Sequence, residues 1–199
     1  MSEPSDGSAA GRNVLLCVTG GVACYKAADL ASRLTRAGAS VTVAMTAAAE
    51  RFVAPLTFQA VTRRRVHTSL WEASERYDAR HVSLTDAADL MIVAPATANF
   101  LAKAAGGIAD DLVSTLALSA WGACEVLVAP AMNSRMWAAP PTRANVERLR
   151  EWGVRFIGPA EGRLACGTVG PGRMSEPAGI LAEAIERLEL RPGGPAGSE

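Results

Sequence analysis

Lysine is almost missing from these 199 residues. Of 20 basic side chains only Lys26 and Lys103 are lysines, and the rest are arginines. Composition bias accounts for that, but it leaves just two candidates for any Schiff-base chemistry. Histidine is equally scarce, at His67 and His81, and the four cysteines (Cys17, Cys24, Cys124, Cys166) form no C-x-x-C pair. A structural zinc site needs about four soft ligands at close spacing, so no metal centre is expected. An excess of either charge is missing too. The 20 basic and 20 acidic residues cancel, and nothing in the balance invites nucleic acid or an anionic membrane. Apolar runs such as Leu90–Ala96 fall far short of the ~20 residues that span a bilayer. The opening MSEPSDGSAAGR is polar and lacks an apolar stretch of the secretory kind. Free thiols and no export signal make a reducing cytoplasm the expected location.

What is present reads as one globular domain over residues 13–190, with polar tails expected at 1–12 and 191–199. Hydrophobic residues make up 49% of the chain and charged residues 20%, close to the average for globular proteins. Asn13–Thr19, Ser40–Met45, Leu90–Pro95, Glu125–Pro130 and Val154–Ile157 are short apolar runs, several of them apolar on both alternations. That is the mark of strands buried on both faces. Helical periodicity fills 22–37, 97–105, 110–120, 140–151 and 177–189. Gly38 suits the end of the first helix, Asp110-Asp111 the start of the third, and Pro140-Pro141 the entry of the fourth. Strands alternating with helices predict a three-layer α/β fold of Rossmann-like, flavodoxin-like kind, with a parallel sheet covered on both faces. In such sheets ligands bind beyond the carboxyl ends of the strands.

Four segments stand at or near those ends. TGGVACYK places Gly20 and Gly21 between strand and helix, where backbone can approach an anion at a helix start; a ligand-free tight turn is the plain alternative. In APATANFLAK, residues 94–103, free N–H groups beside Thr97 and Asn99 suit a phosphate, although simple N-capping by Thr97 also explains them. In APAMNSRMW, residues 129–137, Asn133 offers both a donor and an acceptor, and Met132 and Met136 a soft wall. The alternative is another cap, with Met136 and Trp137 in the core. RLACGTVGPGRMSEP, residues 163–177, reads as a glycine-rich flap carrying the loop thiol Cys166. His81 is the natural proton acceptor. His67 follows three arginines in a region that looks like an edge strand and is expected at the surface.

Together these segments resemble the FMN-containing cysteine decarboxylases, and within them the phosphopantothenoylcysteine decarboxylases of coenzyme A biosynthesis. The resemblance covers roughly residues 12–188. Pro130–Trp137 fits the family pattern P-x-M-N-x-x-M-W, and Ala165–Met174 (ACGTVGPGRM) matches the family's flap. TGGVACYK, APATAN with the later AK, and GGIADDLVST support them. The resemblance implies FMN as cofactor, held by Gly20, Gly21, Val22 and Ala23, by Thr46 and Phe58, by Pro95, Thr97, Ala98, Asn99 and Phe100, and by Ala131. It implies His81 as base, Cys166 as proton donor and Asn133 as the grip on the substrate carboxylate, with Met132, Met136, Ala165 and Gly167 around the substrate. Phe100 departs from the family, where a small polar residue often follows the Asn, so a side-chain hydroxyl to the flavin phosphate is lost there.

The implied chemistry accounts for these residue types. A carboxylate leaves readily only when its electrons have a sink. Oxidising the cysteinyl CH2–SH to a thioaldehyde, with FMN taking the hydride, creates that sink. Carbon dioxide departs, reduced FMN returns the hydride, and Cys166 supplies a proton to give 4′-phosphopantetheine. The family assembles as trimers, often four in a dodecamer, with FMN between subunits, and bacterial relatives often carry a fused phosphopantothenate–cysteine ligase. Two alternatives remain at this point: a decarboxylase of C-terminal peptidyl cysteine in peptide natural-product maturation, and a non-catalytic flavin-binding regulatory subunit. A prenyltransferase of related fold is disfavoured by PAMNSRMW.

Overall fold

The computed structural model describes residues 7–71, 80–165, 167 and 169–190. In chain order the elements are β1 (Asn13–Val18), α1 (Cys24–Arg36), β2 (Ser40–Met45), α2 (Ala47–Glu50), α3 (Pro55–Thr62), β3 (Val66–His67), α4 (Arg80–Asp86), β4 (Leu90–Ala96), α5 (Ala98–Gly106) and α6 (Leu112–Ser119). They continue as β5 (Glu125–Pro130), α7 (Ser134–Ala138), α8 (Pro140–Glu151), β6 (Arg155–Phe156), β7 (Ala160–Arg163), β8 (Val169–Arg173) and α9 (Pro177–Leu190). Six strands form one parallel sheet in the order β3-β2-β1-β4-β5-β6, while β7 and β8 pair as a separate antiparallel hairpin. The winding reverses between β1 and β4.

Alternation along the strands builds two cores. Val14, Leu16 and Val18 of β1, Ile92 of β4 and Leu127 of β5 face a cluster completed by α1 and α9. Leu15 and Cys17, Met91 and Val93, and Val126 and Val128 face the other, completed by α5, α6 and α8. With both faces buried, β1, β4 and β5 are apolar on both alternations, as a sheet covered by helices requires, whereas β2 keeps half-buried Ser40 and Thr42 alternating with buried Val41 and Val43. On α1, Ala27, Leu30, Ala31 and Leu34 are buried and Arg33 pairs outward with Asp29 at 3.0 Å. The helix stops where Gly38 takes a φ of 91°, the left-handed turn that glycine favours.

The strands and long helices read from sequence are all found, with ends shifted by a residue or two. α1 begins at Cys24 rather than Val22, because Gly20–Ala23 make a turn closed by the Cys24 N–H to the Gly21 carbonyl (3.0 Å). The expected tail is corrected over residues 7–12. Ala9 is buried and its N–H donates to the Ala37 carbonyl (2.8 Å), while the Arg12 carbonyl accepts from Ser40 N–H (2.8 Å). The rest of that tail, and the tail expected at 191–199, lie outside the described residues.

Candidate functional site

The site begins with the winding reversal. At the end of β1, Thr19 is 2% exposed, and its hydroxyl donates to the Pro95 carbonyl (2.7 Å) and accepts from Thr97 N–H (3.1 Å). This clasp ties the end of β1 to the end of β4, so that α1 and α5 start side by side. Gly20 has no room for a side chain: a Cβ there would lie 2.5 Å from the Ala48 Cβ. α1 has no capping side chain and no acidic residue in its first turn. Among the described residues, the N–H groups of Gly21, Val22 and Ala23 meet no acceptor. α5 is capped by Thr97, whose hydroxyl accepts from Phe100 N–H (3.3 Å), and its first turn is likewise free of acid. Two such helix starts are attractive to an anion.

The far wall comes from β5 onward. Asn133 caps α7, its Oδ1 accepting from Arg135 N–H at 2.8 Å. The β7–β8 hairpin leans on this segment: Met132 N–H donates to the Gly172 carbonyl (2.9 Å). Gly172 has a φ of +135°, and a Cβ there would stand 2.2 Å from the Met132 carbonyl oxygen. Between the helix starts, the Met132–Asn133 segment and the hairpin lies a cleft of about 890 Å³, within the range of small-molecule and cofactor sites.

Lys26 is 9% exposed and lines this cleft. Its Nζ lies 3.0 Å from Glu176 Oε1 and 3.5 Å from the Met174 carbonyl, and Arg173 also donates to Glu176. A cation buried this far needs such a partner. The Lys26 ammonium first, then the Arg173 guanidinium, hold the Glu176 carboxyl below its ordinary range. Burial pushes the thiols of Cys17 and Cys24 up, so both stay protonated at neutral pH.

Of the residues expected at the site, Gly20, Gly21, Val22, Ala23, Thr97 and Ala98 line the cleft from one side. Ala131, Met132, Asn133, Met136 and Ala165 line it from the other. The capping alternatives at Thr97 and Asn133 are also true, since both residues cap and line. Met136 is half exposed, whereas Trp137 is core. Three of the expected cofactor residues are buried and do not line the cleft. Phe58 is fully buried against α1 and β2, Phe100 packs among α5, α6 and α8, and Pro95 is buried with its carbonyl taken by Thr19. The Phe100 N–H is spent on Thr97, so neither side chain nor N–H of Phe100 reaches the cleft. Thr46 caps α2, and Asn99 and Gly167 are exposed without lining the cleft. His81 stands in the first turn of α4; its side chain, and the whole of Cys166, lie outside the described residues. His67, expected on an edge strand, ends β3 at the sheet's edge. Sequence reading missed Tyr25, Arg163, Leu164 and the Lys26–Glu176–Arg173 cluster. The spacing of Arg173 and Glu176 was the available signal for the last.

A doubly wound parallel sheet with an anion-receptive cleft at its reversal, roofed by a hairpin, defines a nucleotide-cofactor type of α/β protein. The family model described as Flavoprotein matches residues 2–189, and the chain belongs to that family. It is 51% identical over 170 residues to the coenzyme A biosynthesis bifunctional protein CoaBC of Bacillus subtilis, covering 85% of this chain and 41% of that one. It thus spans less than half the length of this bifunctional relative. A probable phosphopantothenoylcysteine decarboxylase of Streptococcus mutans is 38% identical over 177 residues, covering 89% of this chain and 99% of the relative. Among solved structures, a PPC decarboxylase mutant (C175S) complexed with pantothenoylaminoethenethiol superposes with a TM-score of 0.81 at 31% identity, over 89% of this chain and 98% of that one. The FMN-dependent cysteine decarboxylase SpaF gives 0.78 at 34% identity, over 90% and 98%.

Proposed function

We propose that this chain is an FMN-dependent phosphopantothenoylcysteine decarboxylase, converting its substrate to 4′-phosphopantetheine and carbon dioxide. The observation that carries the reading is the convergence in one cleft of the uncapped Gly20–Ala23 turn, the Met132–Asn133 segment and the hairpin. The residues fit the cofactor. Free N–H groups at two acid-free helix starts suit its phosphate, and Val22, Ala131, Met132 and Met136 offer an apolar wall to its rings. FMN held there would supply reversible two-electron redox chemistry, and with it the electron sink that decarboxylation needs.

The chain's own residues orient the substrate and handle its protons. Asn133 accepts from Arg135 N–H through Oδ1 at the α7 cap and also lines the cleft, where an amide side chain can donate to the substrate carboxylate. Holding that carboxylate over the apolar wall is orientation catalysis. The hairpin lines the far side of the cleft through Arg163, Leu164, Gly172 and Arg173. His81 acts as base and Cys166 returns a proton, roles that rest on their place in the ARHVSL and RLACGTVGPGRM segments.

The proposal extends to a cytoplasmic homotrimer, or four trimers in a dodecamer, with FMN between subunits. Exposed Val22, Tyr25 and Met136 at the cleft support a neighbouring subunit there. It also includes a phosphopantothenate–cysteine ligase as partner, fused or separate. The purified protein should be yellow, yield FMN on denaturation, and release carbon dioxide from phosphopantothenoylcysteine. Folded protein that refuses added FMN, or FMN-loaded protein that releases no carbon dioxide, would refute the reading.

A further inference from the structure

The chain is neutral overall, but its cleft is not. Three cations line it, Lys26, Arg163 and Arg173, against one carboxylate, Glu176. Lys26 and Arg173 are both committed to that carboxylate. Arg163, exposed on β7, is different: among the described residues no carboxylate pairs with it. An exposed arginine is ordinarily just a solvated one. This one stands on the hairpin that roofs a ligand cleft already carrying a surplus of positive charge.

The cofactor's phosphate is provided for elsewhere, by the starts of α1 and α5. The substrate's carboxylate is provided for by Asn133. A third anion is what the surplus fits. Here the two candidate substrates differ. A peptidyl cysteine has an uncharged backbone beyond its C-terminal residue, whereas a phosphorylated cysteine conjugate carries a dianion at the far end of its acyl part. Guanidinium is the side chain best matched to phosphate, through two parallel N–H donors.

We propose that Arg163 is the specificity-determining residue that holds the substrate's phosphate group, and so sets a phosphorylated cysteine conjugate apart from a peptidyl cysteine. The inference rests on the decarboxylase reading and adds a residue to it. It is tested on the FMN-loaded protein with two substrates, phosphopantothenoylcysteine and the same compound without its phosphate. The readout is the ratio of kcat/KM for the two.

Arg163→Ala should lower that ratio about tenfold, chiefly through KM of the phosphorylated compound, and Arg163→Lys should restore part of it. Added salt should erode the ratio in the natural protein and much less in Arg163→Ala. An unchanged ratio in Arg163→Ala overturns the proposal. So does a loss confined to FMN affinity, read by titrating FMN against riboflavin, since that would assign the guanidinium to the cofactor. Failure of the FMN-loaded natural protein to release carbon dioxide from either compound would instead overturn the decarboxylase reading itself.

Discussion

At the scale of single residues, capping and ligand binding are not rivals in this protein. A helix cap stands where backbone donors are exposed, and exposed donors are what an anion seeks, so a residue such as Thr97 or Asn133 can cap a helix and still line the cleft. Asn133 allows the two to be separated. Asp is as good an N-cap as Asn, so Asn133→Asp keeps the bond to Arg135 N–H. It also sets a negative charge where a substrate carboxylate is to be held. Carbon dioxide release should fall by at least about 100-fold, in the range seen when one key donor is lost from an active site. The melting temperature should stay within a few degrees. A variant that melts much earlier would make Asn133 a structural residue only, and one that turns over normally would remove it from the substrate site.

At the scale of elements, legibility followed length and periodicity. The five apolar runs were readable as strands because the sheet is buried on both faces, and each long helix carries an amphipathic stripe. α2 and α7, at four and five residues, are too short to show a period. β7 and β8 contain Gly162, Gly170, Pro171 and Gly172, so the flap was visible as glycine content but not as a hairpin. Phe58 and Phe100 were assigned to the cofactor on resemblance alone, and no local pattern distinguishes a buried aromatic from one facing a ligand. The arginine and lysine cluster was missed because its members come from α1, β8 and the loop before α9, which meet only through the fold.

The hairpin's seat yields its own test. Gly172 lies against the Met132 carbonyl with a φ unfavourable to any side chain. Gly172→Ala should unseat the hairpin while leaving the sheet and the helix starts intact. Turnover should fall sharply, FMN should still bind, and limited proteolysis should cut the 160–173 segment faster than in the natural protein. Undiminished protection of that segment would show that the seat tolerates a side chain and that the hairpin is held by other contacts.

At the scale of the whole molecule, charge is arranged in a few local networks rather than as a net field. The Lys103 Nζ lies 2.6 Å from both Asp110 and Asp111, and Asp111 also caps α6 through Ser114 N–H at 2.9 Å. Burial alone would push the Asp111 carboxyl up, but Lys103 and Ser114 together outweigh it and hold it below its ordinary 3.8. Glu176 is held down likewise by Lys26 and Arg173. Depressed carboxyls contribute stability that is complete above their unfolded values, near ~4, and is lost as pH falls through the folded values. Hydrogen bonds donated to Asp110 and then to Asp111 hold the Lys103 ammonium above 10.5, so its contribution is complete below that value and is lost as pH rises through the folded one. Cys17 and Cys24, raised by burial above 9.0, also favour the fold less as alkali ionises the unfolded chain first. The melting temperature should therefore be flat between about pH 5 and 9 and fall on both sides. Asp111→Asn retains a capping oxygen and loses only the charge. It should lower the plateau and make the acid limb shallower, because one group that titrates on unfolding is gone. A thermal-shift series across pH reads both effects, and an acid limb of unchanged steepness in that variant would place the acid sensitivity of this fold in its other carboxylates.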